Sequence, residues 1–173
     1  MYKSHLIFIM IVGVLFSALL SAEKSDVLPA DYINTAFSNS PPKPAVIWIK
    51  GDLKQEISQI LGHDYPKLRV KYWEKNGRTV WILDEIGKEK YITTGIIINA
   101  QAQIEDVKVL TFRESRGWEV KHDFFVQQFK DSTLQTDTYL NQSIDGITGA
   151  TLSVTALKVQ ARMALYLHEK TRK

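Results

Sequence analysis

The sequence predicts an α+β fold: an antiparallel sheet with a few short helices and a long C-terminal helix that starts at a glycine-rich motif. Two segments rich in β-branched and aromatic residues, 68–73 and 78–83, flank the pair Asn76 and Gly77. Because Asn-Gly tolerates the positive φ angles of tight turns, these segments predict a β-hairpin. Residues 152–170 contain no Pro or Gly and carry an apolar stripe at helical spacing, which predicts the long helix.

Two short helices are predicted, one before and one after the strands. Asp52 and Gln55 have the spacing of a capping box, apolar residues follow at helical intervals, and Gly62 supplies a stop. Asp123 is the expected N-cap of the second helix, which contains the apolar residues Phe125 and Phe129.

Two further strands complete the predicted sheet. Residues 91–99 and 107–113 are rich in Ile, Val, Thr and aromatic residues and are joined by a polar connection of hairpin length. Four antiparallel strands are therefore expected. Trp48, Trp73 and Trp81 lie in apolar, strand-like segments, so we expect them in the core, although an exposed one could line a partner surface.

The N-terminal part of the chain predicts export. Lys3 precedes an unbroken apolar run that ends in Ser21 and Ala22, so residues 1–22 are predicted to be a signal peptide or an N-terminal anchor. Residues 23–45 are polar and rich in Ser and Pro, which predicts a linker, and residues 46–173 are predicted to form the folded domain. We expect the protein in the periplasm or at the outer face of the cytoplasmic membrane.

The composition excludes several classes of function. The 173 residues include no cysteine, which excludes disulfides, thiolate metal sites, iron–sulfur ligation and thioether-linked haem. The net charge is +3 with basic and acidic residues interspersed, so nucleic acid is not an expected partner. His63, His122 and His168 are far apart, so no metal site is predicted. No Ser/His/Asp or paired-carboxylate motif identifies a catalytic residue.

The segment 145–153, Asp-Gly-Ile-Thr-Gly-Ala-Thr-Leu-Ser, lies directly before the long helix. The start of a helix offers unpaired backbone N–H groups and the positive end of the helix dipole, and both stabilise a phosphate. Gly146 and Gly149, together with the small Ala150, allow the backbone to approach a bulky ligand. In the simpler alternative, Thr148 or Thr151 only caps the helix and the glycines only turn the chain.

This segment resembles the attachment motif of the FMN-binding domain family, found in the third subunit of the sodium-translocating NADH:quinone reductase and in the matching Rnf subunit. Residues 145–151 fit the pattern Asp-x-x-(Ser/Thr)-Gly-Ala-(Thr/Ser) at every position. The resemblance implies that FMN is esterified through its phosphate to Thr151. It also implies that an FAD:protein FMN transferase recognises Asp145, Thr148, Gly149 and Ala150. Leu152, the next residue, is included in the predicted cofactor site.

A second motif, 114–119, stands where the family has Glu-Thr-Pro-Gly-Leu-Gly. The resemblance adds to the predicted cofactor site Glu114, Ser115, Gly117 and Trp118. Arg116, Trp118 and Glu119 depart from the family pattern, so the rigidity and charge of this loop differ from those of the relatives. Two interpretations of Trp118 are open: its ring packs on the isoalloxazine, or it is buried in the core.

The resemblance implies an electron-transfer component with covalent FMN rather than a self-sufficient enzyme. Its expected partners are the transferase that attaches FMN and a membrane redox partner, which is quinone-linked or a haem or flavin protein. Two alternatives stay open. One is a flavin-dependent reductase of a small acceptor or metal ion, and the other is a non-redox binding module with a vestigial FMN site.

Overall fold

A computed structural model describes residues 26–172, so the signal peptide or anchor predicted for residues 1–22 lies outside the described residues. Within residues 26–172 five strands form one antiparallel sheet in sequence order: β1 (Ala45–Trp48), β2 (Arg69–Lys75), β3 (Arg78–Ile86), β4 (Tyr91–Ile98) and β5 (Ile104–Phe112). The helices are α1 (Pro29–Ala36), α2 (Asp52–Leu61), α3 (Asp123–Val126) and α4 (Thr151–Thr171), with 3-10 turns at Trp118–Lys121 and Gln127–Phe129. The predicted α+β fold is confirmed.

The β2–β3 hairpin forms at the predicted Asn-Gly turn. Lys75 pairs with Arg78, and Asn76 and Gly77 between them have φ angles of 56° and 78°. Two consecutive positive φ angles are the signature of the turn type that matches the twist of the flanking strands. The turn therefore fixes the register of the central strands, in which Tyr72 stacks on Trp81.

The sheet separates two apolar clusters. On its inner face α4 packs against β3 and β4, and this larger cluster includes Trp81, Ile96 and Leu157. The outer face carries α1, whose Tyr32 packs with neighbouring residues against Val80, Ile97 and Leu110. Gly95 makes room for α1, because a Cβ built on it would lie 2.4 Å from the Tyr32 ring.

The region predicted to be a linker, 23–45, contains α1 and therefore part of the folded domain. Pro29 stands at the first turn, where its missing N–H has no cost, and the buried Tyr32, Ile33 and Ala36 form one apolar face. The Val27 N–H donates to the Leu110 carbonyl at 3.0 Å, so the chain is already attached to the sheet before α1. The domain boundary predicted at residue 46 lies too far along the chain.

Several local predictions are corrected in the same way. Gly51, not Asp52, is the N-cap of α2, and no side chain caps that helix, so the predicted capping box does not form. His122 takes the N-cap position predicted for Asp123. The stop at Gly62 is confirmed, since this residue adopts the left-handed conformation at the end of α2.

Four strands were predicted, and the sheet within residues 26–172 has five, because the short strand β1 pairs with β2. Trp81 is fully buried, as predicted. Trp48 is 54% exposed, so the prediction that it lies in the core is wrong. Its side chain points to the outer face of the sheet at the edge strand, where none of the helices between residues 26 and 172 covers it. No helix between residues 26 and 172 has both the length and the apolar character needed to cross a membrane.

Candidate functional site

The two motifs identified in the sequence lie against each other in the structure. Gly117 has a φ of 85°, and a Cβ built on it would lie 2.7 Å from the Ser153 Oγ and 3.4 Å from the Ala150 Cβ. The backbone of the 114–119 loop therefore contacts the first turn of α4 directly. Only glycine combines this backbone conformation with so close an approach.

The first turn of α4 presents a hydroxyl and free backbone donors. Thr151 is the first residue of the helix and is exposed, as is Leu152, whereas Ala150 and Ser153 are buried. The Val154 N–H donates to the Ala150 carbonyl at 2.9 Å, and the N–H groups before it have no acceptor within the helix. The N-cap is Ala150 without a side-chain cap, so neither threonine of the motif caps the helix.

The glycine-rich segment before α4 is exposed around its glycines. Gly149 has a φ of 83°, and a Cβ built on Gly146 or Gly149 would meet no atom within 4 Å. Asp145 and Thr148 are exposed as well. The surface beside Gly146 and Gly149 therefore has open space for a ligand.

Gln128 fixes the position of this segment. Its Oε1 accepts the Asp145 N–H at 2.7 Å, and its carbonyl accepts from the Gln142 Nε2 at 2.5 Å. The neighbouring Phe129 is fully buried in the main core, which anchors Gln128. The Asp145 backbone is thus held while its carboxylate stays in solvent.

Glu114 organises a neighbouring turn. Its Oε1 accepts the backbone N–H groups of Lys88, Glu89 and Lys90 at 2.5, 2.7 and 2.9 Å. These hydrogen bonds hold the pKa of the Glu114 carboxyl below its ordinary value, and the bond from the Lys90 N–H has the largest effect. This oxygen faces the β3–β4 turn, so the contact gives Glu114 a role in shaping the loop. Ser115 is exposed beside it.

Trp118 lies at the surface next to the first turn of α4. It is 54% exposed, so the interpretation that buried it in the core is wrong. Its ring meets the His122 ring edge-on, with centroids 4.9 Å apart, and His122 stacks on the exposed Phe124 at 5.8 Å. These three rings form an exposed aromatic row beside the motif.

Sequence reasoning missed two residues of this site, Ser153 and His122. Ser153 lies two positions after the attachment motif. Nothing in this position indicates that its side chain contacts a loop more than thirty residues upstream. His122 was assigned to no site, although its spacing of four from Trp118 would bring the two rings together in a helical segment.

The histidines do not assemble a metal site. Across residues 26–172 no group of three or more His, Asp or Glu side chains could hold a metal ion. His63 lies 3.0 Å from the Glu85 carboxylate. His168 is fully buried with its Nδ1 2.7 Å from the Thr79 hydroxyl, and burial, with the nearby Arg172 guanidinium, lowers its pKa to about 4. It is therefore neutral at ordinary pH and shares a hydrogen bond with the Thr79 hydroxyl, which also accepts the Trp81 Nε1–H.

Comparison with known families agrees with this geometry. Residues 87–166 match the model of the FMN-binding domain family. No curated protein shows a significant match. The matched segment runs from the β3–β4 turn through β4 and β5 to α4, and it includes both motifs that meet at Gly117. Residues 87–166 are therefore assigned to an FMN-binding domain, and the match supports FMN as the cofactor.

Proposed function

We propose that FMN is bound to Thr151 through a phosphoester and that the protein transfers electrons outside the cytoplasm. The observation that carries the proposal is the contact of Gly117 with Ala150 and Ser153, which brings the second motif of the domain to the helix start that carries Thr151.

The surroundings of Thr151 suit a phosphoester. The hydroxyl is exposed at the first position of α4, within reach of a modifying enzyme. The unpaired N–H groups and the positive dipole end of a helix of 21 residues would stabilise the phosphate charge. No acidic side chain stands in the first turn to oppose it.

The residues around Thr151 divide into recognition and binding roles. Asp145, Thr148 and Gly149 are exposed and form the surface that an FAD:protein FMN transferase would recognise, while the buried Ala150 holds the helix start in place. Trp118 and Leu152 are exposed large apolar side chains close to Thr151, and we assign them to the isoalloxazine. Bound FMN supplies one- and two-electron chemistry, and the protein supplies position and shielding.

Electron transfer outside the cytoplasm explains why the cofactor is tethered. Free FMN is dilute there, and a non-covalent cofactor would be lost by mass action. A covalent bond prevents that loss. We infer that the electrons come from or go to a membrane redox partner, which is quinone-linked or a haem or flavin protein.

Co-expression with an FAD:protein FMN transferase tests the attachment. Wild-type protein should retain flavin fluorescence on a denaturing gel, and Thr151→Ala should retain none. Thr151→Ser keeps a hydroxyl nucleophile and should be loaded, partly or fully. Thr148→Ala keeps the acceptor and should only reduce loading. Denaturation-resistant flavin in Thr151→Ala would contradict the proposal, and a wild type that never acquires flavin would favour a non-redox binding module.

A further inference from the structure

One half of the outer face of the sheet is left uncovered by α1. Helix α1 covers β3, β4 and β5 on this face, through Val80, Ile97 and Leu110. The β1–β2 half carries instead a basic aromatic face, which we define by the residues Trp48, Lys67, Leu68, Arg69, Lys71 and Trp73. These residues line two adjoining shallow depressions, and Lys67 and Arg69 belong to both.

The register of the strands explains why these side chains share one surface. Trp48 pairs with Arg69 and Val46 with Lys71, while Trp73 pairs with the outer-face residue Val80. Alternation along β1 and β2 therefore sends the cations and the tryptophans to the same side. The intervening residues Ile47, Val70 and Tyr72 pack against the main core on the other side.

The charge of this face is one-sided. Of the side chains that the structure describes, no carboxylate lines either depression. Lys67 is bound to Asp84 at 2.8 Å, but among residues 26–172 Arg69 and Lys71 have no carboxylate partner. The Arg69 guanidinium lies over the Trp48 ring, 5.7 Å from its centroid. Two uncompensated cations on an exposed face favour an anionic partner.

The apolar residues distinguish between anionic partners. Leu68 is 75% exposed and Trp48 54% exposed at the rim of the face. An aliphatic side chain beside a tryptophan and flanking cations is the combination that enters the boundary between lipid headgroups and acyl chains. A nucleic acid would be bound through stacking and phosphate contacts and would give the protruding Leu68 no partner.

We propose that the basic aromatic face docks onto the surface of a bilayer that contains anionic phospholipids. Trp48 and Leu68 enter the interface, and Arg69 and Lys71 contact lipid phosphates. Helix α4 packs on the opposite face of the sheet, so the docked domain keeps Thr151 and the aromatic row at Trp118 exposed to solution. The proposal does not depend on whether FMN is covalently bound.

Site-specific probes on the full chain test this docking. The chain has no cysteine, so Leu68→Cys can be labelled singly with an environment-sensitive fluorophore. Gln59→Cys, at an exposed position of α2 on the side of the sheet that faces α4, is the matched control. Each labelled chain is reconstituted into vesicles of phosphatidylcholine alone or with one quarter phosphatidylglycerol, and quenching by spin-labelled lipid is measured.

The Leu68→Cys probe should shift to the blue and be quenched by spin-labelled lipid only in vesicles with phosphatidylglycerol, and the Gln59→Cys probe should stay in water. Adding Arg69→Gln and Lys71→Gln should lower the ratio of docked to undocked domain about fivefold for each charge removed. Lys88→Gln with Lys90→Gln removes the same charge from an exposed turn and should leave docking unchanged.

Three outcomes would overturn the proposal. Equal quenching of the probes at 59 and 68, or quenching that is independent of phosphatidylglycerol, would show that the face does not dock on anionic lipid. A Leu68→Cys probe that ignores vesicles and responds to a single-stranded oligonucleotide would assign the face to nucleic acid instead.

Discussion

Replacing Gly117 with alanine should destabilise the domain by two separable effects. The residue has a φ of 85°, and left-handed backbone costs a non-glycine residue about 1–2 kcal/mol. The new Cβ would also lie 2.7 Å from the Ser153 Oγ, inside a buried contact, and overpacking of this kind costs about 1–3 kcal/mol. The free energy of unfolding of Gly117→Ala should therefore fall by about 2–5 kcal/mol.

Two control variants separate these effects in urea unfolding of the apo-protein. Gly149→Ala has a similar φ of 83° but meets no atom within 4 Å, so it should lose only the backbone part, about 1–2 kcal/mol. Adding Ser153→Ala to Gly117→Ala removes the clashing oxygen and should recover about 1–3 kcal/mol. If Gly117→Ala and Gly149→Ala are equally stable, or Ser153→Ala gives no recovery, the close contact between loop and helix is not as described.

Three further predictions follow from the described contacts. The pKa of His168 is about 4 in the folded protein and 6.5 in the unfolded chain, so between these pH values the unfolded state binds more protons. Lowering the pH from 6.5 to 4 should therefore reduce the free energy of unfolding by up to about 3 kcal/mol. Urea midpoints at both pH values should show this fall in the wild type and a smaller one in His168→Gln; equal falls would mean that His168 is not the group responsible. Glu114→Ala should speed hydrogen exchange of the amides of residues 88–90 and lower the free energy of unfolding by about 1 kcal/mol. Glu114→Gln keeps the accepting oxygen and should retain most of the protection of these amides from exchange. Identical exchange in Glu114→Ala and wild type would show that Glu114 does not hold the turn. Flavin emission in the loaded protein should be quenched by Trp118 and recover in Trp118→Leu but not in Phe124→Leu, and unchanged emission in Trp118→Leu would place the isoalloxazine elsewhere.

The elements with strong local signals were predictable from the sequence. The Asn76-Gly77 turn, the stop at Gly62 and the long helix each depend on the conformational preferences of a few neighbouring residues. The motif around Thr151 was identified together with its position at the start of that helix. Local chemistry was sufficient in each of these cases.

Elements that depend on distant contacts were not predictable. Helix α1 is eight residues long, which is too short to be stable alone. It packs on the sheet because Gly95 leaves room for the Tyr32 ring. Nothing near Gly95 in the sequence indicates that a ring will lie there. The exposure of Trp48 depends on which face of β1 is covered, and the contact of Gly117 with Ser153 joins segments that only the fold brings together.

The measurement that tests the central claim most directly is the localisation of FMN by tandem mass spectrometry of the loaded protein. Cleavage after Lys130 and Lys158 releases one peptide that contains Thr151 together with other hydroxyl residues, among them Thr148, Ser153 and Thr155. Fragment masses should place an addition of one FMN less one water on Thr151. An adduct on any of the other hydroxyls, or a peptide without an adduct from a protein that carries denaturation-resistant flavin, would contradict the assignment.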